Sequence, residues 1–184
     1  TDRDSLDITD LVAVRKFVAA HRPDVIINTA AYNFVDKVED PAVYPLAYAI
    51  NATGPQNLAM VAKERGIRLV HYSTDYVFAG DKPEGYTEDD APSPISKYGE
   101  TKAAGEKLVL ESGADVVMCR WSKIFGRQST APGAKPSFVT LMMQLSVEKP
   151  ELHIVDEEVG IPTYTLDIAR ETLRMIEQYI PAGV

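Results

Sequence analysis

Short runs of β-branched residues alternate along this chain with longer segments of helical period, the pattern of successive βα units. That alternation predicts an α/β fold built on a doubly wound parallel sheet, because parallel strands need a crossover helix between them. Residues 25–29, 68–73, 115–120 and 152–155 read as strands, with residues 6–9 as a further strand at the start. An amphipathic helix follows Thr9 or Asp10 as its cap, with Leu11, Val12, Val14, Phe17 and Val18 as its apolar stripe and Pro23 just past its end. Further helices are predicted over about 43–65, interrupted near Gly54-Pro55 and stopped at Gly66, and over about 96–112, 137–149 and 166–179. Leu141, Met142 and Met143 fall on a helical stripe and read as core. Residues 79–95, rich in Gly, Pro, Asp and Glu, form a long loop, and long loops in compact domains are more often functional than idle.

The 184 residues suffice for one well-packed domain, and their net charge of −8 opposes nucleic-acid binding. A single cysteine, Cys119, cannot form an internal disulfide, so a reducing, cytoplasmic location is expected. No apolar run approaches the roughly 18 residues of a membrane-spanning helix, so a membrane partner is not expected. His21, His71 and His153 are scattered without metal-ligand spacing, which argues against a metal site.

Ligands on doubly wound sheets sit beyond the carboxyl ends of the strands. Three such ends are chemically loaded: Thr29-Ala30-Ala31-Tyr32, Ser73-Thr74-Asp75-Tyr76 and Arg120-Trp121-Ser122-Lys123. Tyr98 and Lys102 are four apart near a helix start, so both project from one face. An ammonium beside a phenol favours the phenolate and brings a group with a reference pKa of about 10 toward neutrality, where it can donate and accept protons. The spacing alone recurs by chance among nine tyrosines. It gains weight because Ser73-Thr74-Asp75 ends the preceding strand, and Ser73 and Thr74 offer hydroxyls to hold a carbonyl oxygen beside the phenol.

Taken in order, Leu6-Asp7-Ile8-Thr9-Asp10, Pro23-Asp24-Val25-Ile26-Ile27-Asn28-Thr29-Ala30-Ala31-Tyr32, Asn51-Ala52-Thr53-Gly54, Ser73-Thr74-Asp75-Tyr76-Val77-Phe78, Tyr98-Gly99-Glu100-Thr101-Lys102 and Gly160-Ile161-Pro162-Thr163 form a longer pattern. It resembles the dTDP-4-dehydrorhamnose reductases, which are extended short-chain dehydrogenases/reductases with a Rossmann-like fold. The resemblance implies hydride transfer from NADPH or NADH to the C4 ketone of dTDP-4-dehydro-6-deoxy-L-mannose, giving dTDP-L-rhamnose. It implies that Tyr98 protonates the nascent alkoxide, that Lys102 holds the nicotinamide ribose and lowers the Tyr98 pKa, and that Thr74 bonds the substrate oxygen while Asp75 touches the sugar. Asp7 and Ile8 would lie along the adenine side of the cofactor, Ala30, Ala31 and Tyr32 along its adenosine and pyrophosphate, and Tyr72 near the nicotinamide. A nucleotide sugar is the implied partner, in a homodimer.

Two departures stand out. Where the family carries Arg-Thr-Ser-Trp-Val-Tyr-Gly, this chain has Arg120-Trp121-Ser122-Lys123-Ile124-Phe125-Gly126. Trp121 then moves the sugar-stacking surface two positions along a strand, on the same face, and Lys123 meets a diphosphate or a more acidic sugar, or lies in solvent. The second departure is that none of the 11 glycines forms Gly-x-x-Gly-x-x-Gly, the phosphate-binding turn that opens the family's chains. The chain is therefore expected to be a single NAD(P)-binding Rossmann-like domain over 1–184 taken from a longer enzyme, with residues 121–165 including part of the substrate-binding region. Rival readings are another nucleotide-sugar 4-ketoreductase or an epimerase, and a catalytically silent nucleotide-binding regulatory relative.

Overall fold

Asp10 opens the first helix. Its carboxylate accepts from the backbone N–H groups of Val12 and Ala13 at 2.8 and 3.1 Å, satisfying two donors that a helix start leaves unpaired. Helix α1 runs Leu11–His21, and Arg22, in the left-handed region, turns the chain into strand β1 (Val25–Asn28). The computed structural model describes residues 2, 4–127, 136–154, 159–178 and 182–183. The chain continues through α2 (Val35–Val38), α3 (Tyr44–Tyr48), a π-helical turn (Ala49–Thr53), α4 (Gly54–Arg65), β2 (Arg68–Thr74) and a 3-10 turn (Asp75–Val77). It then forms α5 (Lys97–Glu111), β3 (Val116–Trp121), β4 (Ile124–Phe125), α6 (Phe138–Glu148), β5 (Thr163–Tyr164) and α7 (Thr165–Glu177). Two compact units result, Thr1–Arg120 with Ile180–Val184, and Trp121–Tyr179.

In the first unit the strands lie in the order β1-β2-β3, with β1 and β2 parallel and Asn28 opposite His71. The α/β reading therefore holds. Val14 and Val18 of α1, Leu58, Val61 and Ala62 of α4, Leu69 of β2, Val109 of α5 and Val116 and Met118 of β3 form one buried cluster. Val12, expected on the apolar stripe, is 57% exposed, whereas Val14 and Val18 are buried and Leu11 packs against the same cluster. Gly66, at φ 64, ends α4 where a side chain would be strained.

Residues 6–9 do not form the expected strand. The Asp7 carboxylate accepts from the Thr9 N–H at 2.9 Å and the Thr9 hydroxyl at 2.8 Å, and this local turn competes with an extended ladder. The loop of 79–95 is present and braced from within: the Tyr86 hydroxyl accepts from the N–H groups of Gly80 and Asp81 at 2.8 and 3.0 Å. Lys82 meets Asp90 at 2.8 Å.

In the second unit β4 and β5 pair in parallel, Ile124 opposite Thr163. The expected strand at 152–155 is not found: residues 152–154 carry no regular structure, and Val155 lies outside the described residues. Helix α6 has no buried residue, so Leu141, Met142 and Met143 are not core; Met143 is 67% exposed. Among the described residues the unit has two helices and a two-residue strand pair, and its buried helical residues are Ile168 and Thr172 of α7.

Candidate active site

Thr74 ends β2, and its extended backbone frees the hydroxyl to cap the 3-10 turn, accepting from the Tyr76 N–H at 3.3 Å and donating to the Asp75 carboxylate at 3.1 Å. The chain returns at Ser96, whose hydroxyl caps α5 by accepting from the Gly99 N–H at 3.1 Å. Gly99 is required here, because a Cβ would run into the Tyr76 carbonyl. This close approach seats the Tyr98 ring edge-on to Tyr76, with centroids 5.6 Å apart, and brings the phenol into a hydrogen bond with Thr74. One turn later Lys102 is 2% exposed and donates to the Tyr72 carbonyl at 2.8 Å. Thr74, Asp75, Tyr98, Lys102 and the Tyr72 backbone are thus one cluster.

The electrostatics differ from expectation. Burial pushes the Tyr98 phenol up to about 12, with Asp75 and Tyr76 acting in the same direction and the Thr74 hydrogen bond against it. Lys102 does not lower it: the ammonium is engaged with Tyr72, and burial draws Lys102 itself down to about 8. Tyr98 is therefore a firmly protonated acid at neutral pH. His71, fully buried on β2, is pushed down to about 3 by burial and by Lys102, so it is neutral.

The strand-end segment Ala30-Ala31-Tyr32 is fixed by two buried asparagines that the sequence reading left without roles. Asn28 accepts from the Ala30 N–H at 3.1 Å while its amide meets His71 Nδ1 at 3.0 Å. Asn51 accepts from the Tyr32 N–H at 2.8 Å, donates to the Tyr32 carbonyl at 3.1 Å and donates to the Thr101 hydroxyl at 2.9 Å. Thr101 passes the connection on to the Tyr98 carbonyl at 2.7 Å. Asn51 sits in the π turn, where an irregular helical ring turns a polar side chain inward, and such turns recur at functional sites. Asn57 holds the Ile8 and Thr9 carbonyls, both at 3.0 Å, and Gly54 packs against Ile8 where a Cβ would come within 2.6 Å. Hydrophilic asparagines inside otherwise apolar helix and strand segments were the available signal.

Trp121 and Lys123 belong to the second unit. Trp121 ends β3 and is half-buried. Lys123 adopts φ 42, its carbonyl accepts from the Thr163 N–H at 3.3 Å, and its side chain lies across Gly160, where a Cβ would sit 2.9 Å from Lys123 Cε. Lys123 is thereby a strap between the two short strands as well as an exposed cation.

The family described as RmlD substrate binding domain matches residues 1–183. A dTDP-4-dehydrorhamnose reductase of Streptomyces griseus is 42% identical over 171 residues, 91% of this chain and 53% of that protein. A dTDP-4-keto-6-deoxy-D-glucose reductase of Streptomyces niveus is 38% identical over 177 residues, 95% of this chain and 58% of that protein. Among solved structures, a dTDP-4-dehydrorhamnose reductase from Bacillus anthracis in complex with NADP superposes with a TM-score of 0.88 at 39% identity, covering 96% of this chain and 61% of that one. The chain spans little more than half the length of the curated relatives it matches.

Proposed function

The chain belongs to the family of the RmlD substrate binding domain, and from that premise we propose that it carries the reacting groups of an NADPH- or NADH-dependent reductase. The reaction converts the C4 ketone of dTDP-4-dehydro-6-deoxy-L-mannose to the alcohol of dTDP-L-rhamnose. The observation that carries this reading is the buried Thr74–Tyr98–Lys102 cluster at the end of β2.

The residues present fit a nicotinamide cofactor. Ala30 and Ala31 leave room above a strand end whose backbone Asn28 and Asn51 have already fixed, and Lys102 is a buried cation suited to ribose hydroxyls. Asp7 and Ile8 would meet the adenine side, Ala30, Ala31 and Tyr32 the adenosine and pyrophosphate, Tyr72 the nicotinamide and Lys102 its ribose. When bound, the cofactor supplies the hydride. Tyr98 supplies the proton: the phenol stays protonated until the developing alkoxide, a stronger base, takes it. Thr74 holds the reacting oxygen beside that phenol, and Asp75 contacts the sugar.

Residues 121–165 include part of the substrate-binding region in this reading, with Trp121 stacked on the sugar. Trp121→Ala is expected to raise the Michaelis constant for the ketosugar about 10- to 100-fold, with the constant for cofactor unchanged. A loss of stability alone would make Trp121 a packing residue. Lys123→Ala is expected to weaken substrate binding more at low ionic strength, the signature of a contact with diphosphate; a salt-independent, neutral outcome assigns Lys123 only its strap.

The direct assay is NADPH oxidation by the full-length protein over a panel of nucleotide-linked 4-ketosugars. The expected result is highest kcat/KM for dTDP-4-dehydro-6-deoxy-L-mannose, and absence of oxidation with every member overturns the reading. The departure at Trp121 and Lys123 supports a second reading, a reductase of a different nucleotide-linked 4-ketosugar, which a changed preference in the same panel would identify. A cytoplasmic location and a homodimeric assembly complete the proposal, the latter tested by sedimentation.

A further inference from the structure

The proposed reaction needs a cation at Lys102 in a place from which water is excluded, and α5 carries an opposite charge one turn further on. Glu106 is 1% exposed and follows Lys102 by four residues, so the two side chains leave the same face of the helix. Arg120 of β3 grips the Glu106 carboxylate, donating from Nε at 3.0 Å and from Nη2 at 2.8 Å. The guanidinium also lies over the Phe78 ring, 4.9 Å from its centroid, which fixes the pair from the side of the loop. Apolar residues of similar volume join a helix to a strand as well as a buried ion pair does, or better. The pair therefore calls for a reason other than stability.

We infer that Glu106 is a positioning residue of the active site: its carboxylate, held in place by Arg120, keeps the buried Lys102 side chain in its charged form and seated on the Tyr72 carbonyl. The inference rests on the placement of Lys102 in the proposed site. The other groups that face α5 leave this task to Glu106. His71 on β2 is neutral, and Tyr98 is protonated. Asp75 and Tyr76, beyond β2, act on Tyr98. Glu39 after α2 and Tyr44 of α3 meet Lys97 at the start of the helix, and Lys63 of α4 reaches the Ser112 carbonyl at its far end. The π turn offers the uncharged Asn51. Burial lowers the Lys102 pKa to about 8, and Glu106 is the group that opposes this descent.

The test is a titration of Lys102 in the full-length protein labelled with carbon-13 at lysine Cε, its resonance identified by its loss in Lys102→Met. In Glu106→Gln, the Lys102 midpoint is expected to fall by about one pH unit or more, and the alkaline limb of kcat to move to lower pH with it. That variant strands a buried guanidinium, so Glu106→Gln/Arg120→Met, which removes both charges, is its companion. A purely structural pair predicts the parent midpoint in the double variant, whereas the inference predicts one still below the parent. A parent midpoint in the double variant overturns the inference, whether or not the single variant folds. The titration needs no turnover: if the full-length protein oxidised NADPH with no member of the ketosugar panel, the reductase reading would fail while the Lys102 midpoint still answered for Glu106.

Discussion

Tyr98→Phe is expected to lower turnover by about 100-fold or more, the usual size of a lost general acid, with cofactor affinity close to the parent's. Phenylalanine keeps the ring edge-on to Tyr76 and removes the hydroxyl that pairs with Thr74, so the loss falls on chemistry rather than on folding. The phenol, raised to about 12 by burial, holds its proton at neutral pH, and in the proposed reaction that proton goes to the reduced oxygen. Steady-state kcat with a parallel cofactor titration checks this. Turnover within a few-fold of the parent would assign the proton to solvent.

Gly105→Ala is expected to destabilise the fold by about 3 kcal/mol, the upper range for overpacking a tight contact, and to lower activity as well. A Cβ on residue 105 would run into the backbone carbonyl of Asn51 and lie 3.3 Å from Ala52 Cα. Neither group can swing aside as the tip of a side chain does, so α5 has to lift from the π turn. That movement pulls Asn51 away from Thr101 and so loosens the link between Tyr32 and Tyr98. Denaturant unfolding monitored alongside the assay checks both effects, and an unchanged midpoint would show that the helix and the turn have slack.

Hydrophobic period carried most of the first unit. The strand at Val25–Asn28 and the helix at Lys97–Glu111 lie within a residue or so of their expected bounds, because each buries one clear stripe or run. Period failed where a local side chain or a thin environment decides. Asp7 folds residues 6–9 into a turn that their Leu-x-Ile alternation disguises. The apolar residues of α6 have the spacing of a core stripe, yet none of them is buried among the described residues. The gathering of Thr74, Tyr98 and Lys102 at the end of β2 was legible from residue type and spacing. Their electrostatics were not, since burial is a property of the packed site: it raises Tyr98 against the expected pull of Lys102, which is itself held by Tyr72. The roles of Asn28, Asn51 and Glu106 were hidden for a related reason, as their partners His71, Tyr32 and Arg120 lie between 14 and 43 residues away along the chain.

In the proposed reaction a hydride from the bound cofactor reaches C4 and a proton from Tyr98 reaches the oxygen. The most direct measurement is mass spectrometry of the product formed by the full-length protein from dTDP-4-dehydro-6-deoxy-L-mannose and NADPH deuterated at the transferring position of the nicotinamide. The expected product is dTDP-L-rhamnose carrying a single deuterium at C4, formed in step with oxidation of the cofactor. A nucleotide sugar without deuterium, or one altered at another carbon with the cofactor still reduced, would contradict it.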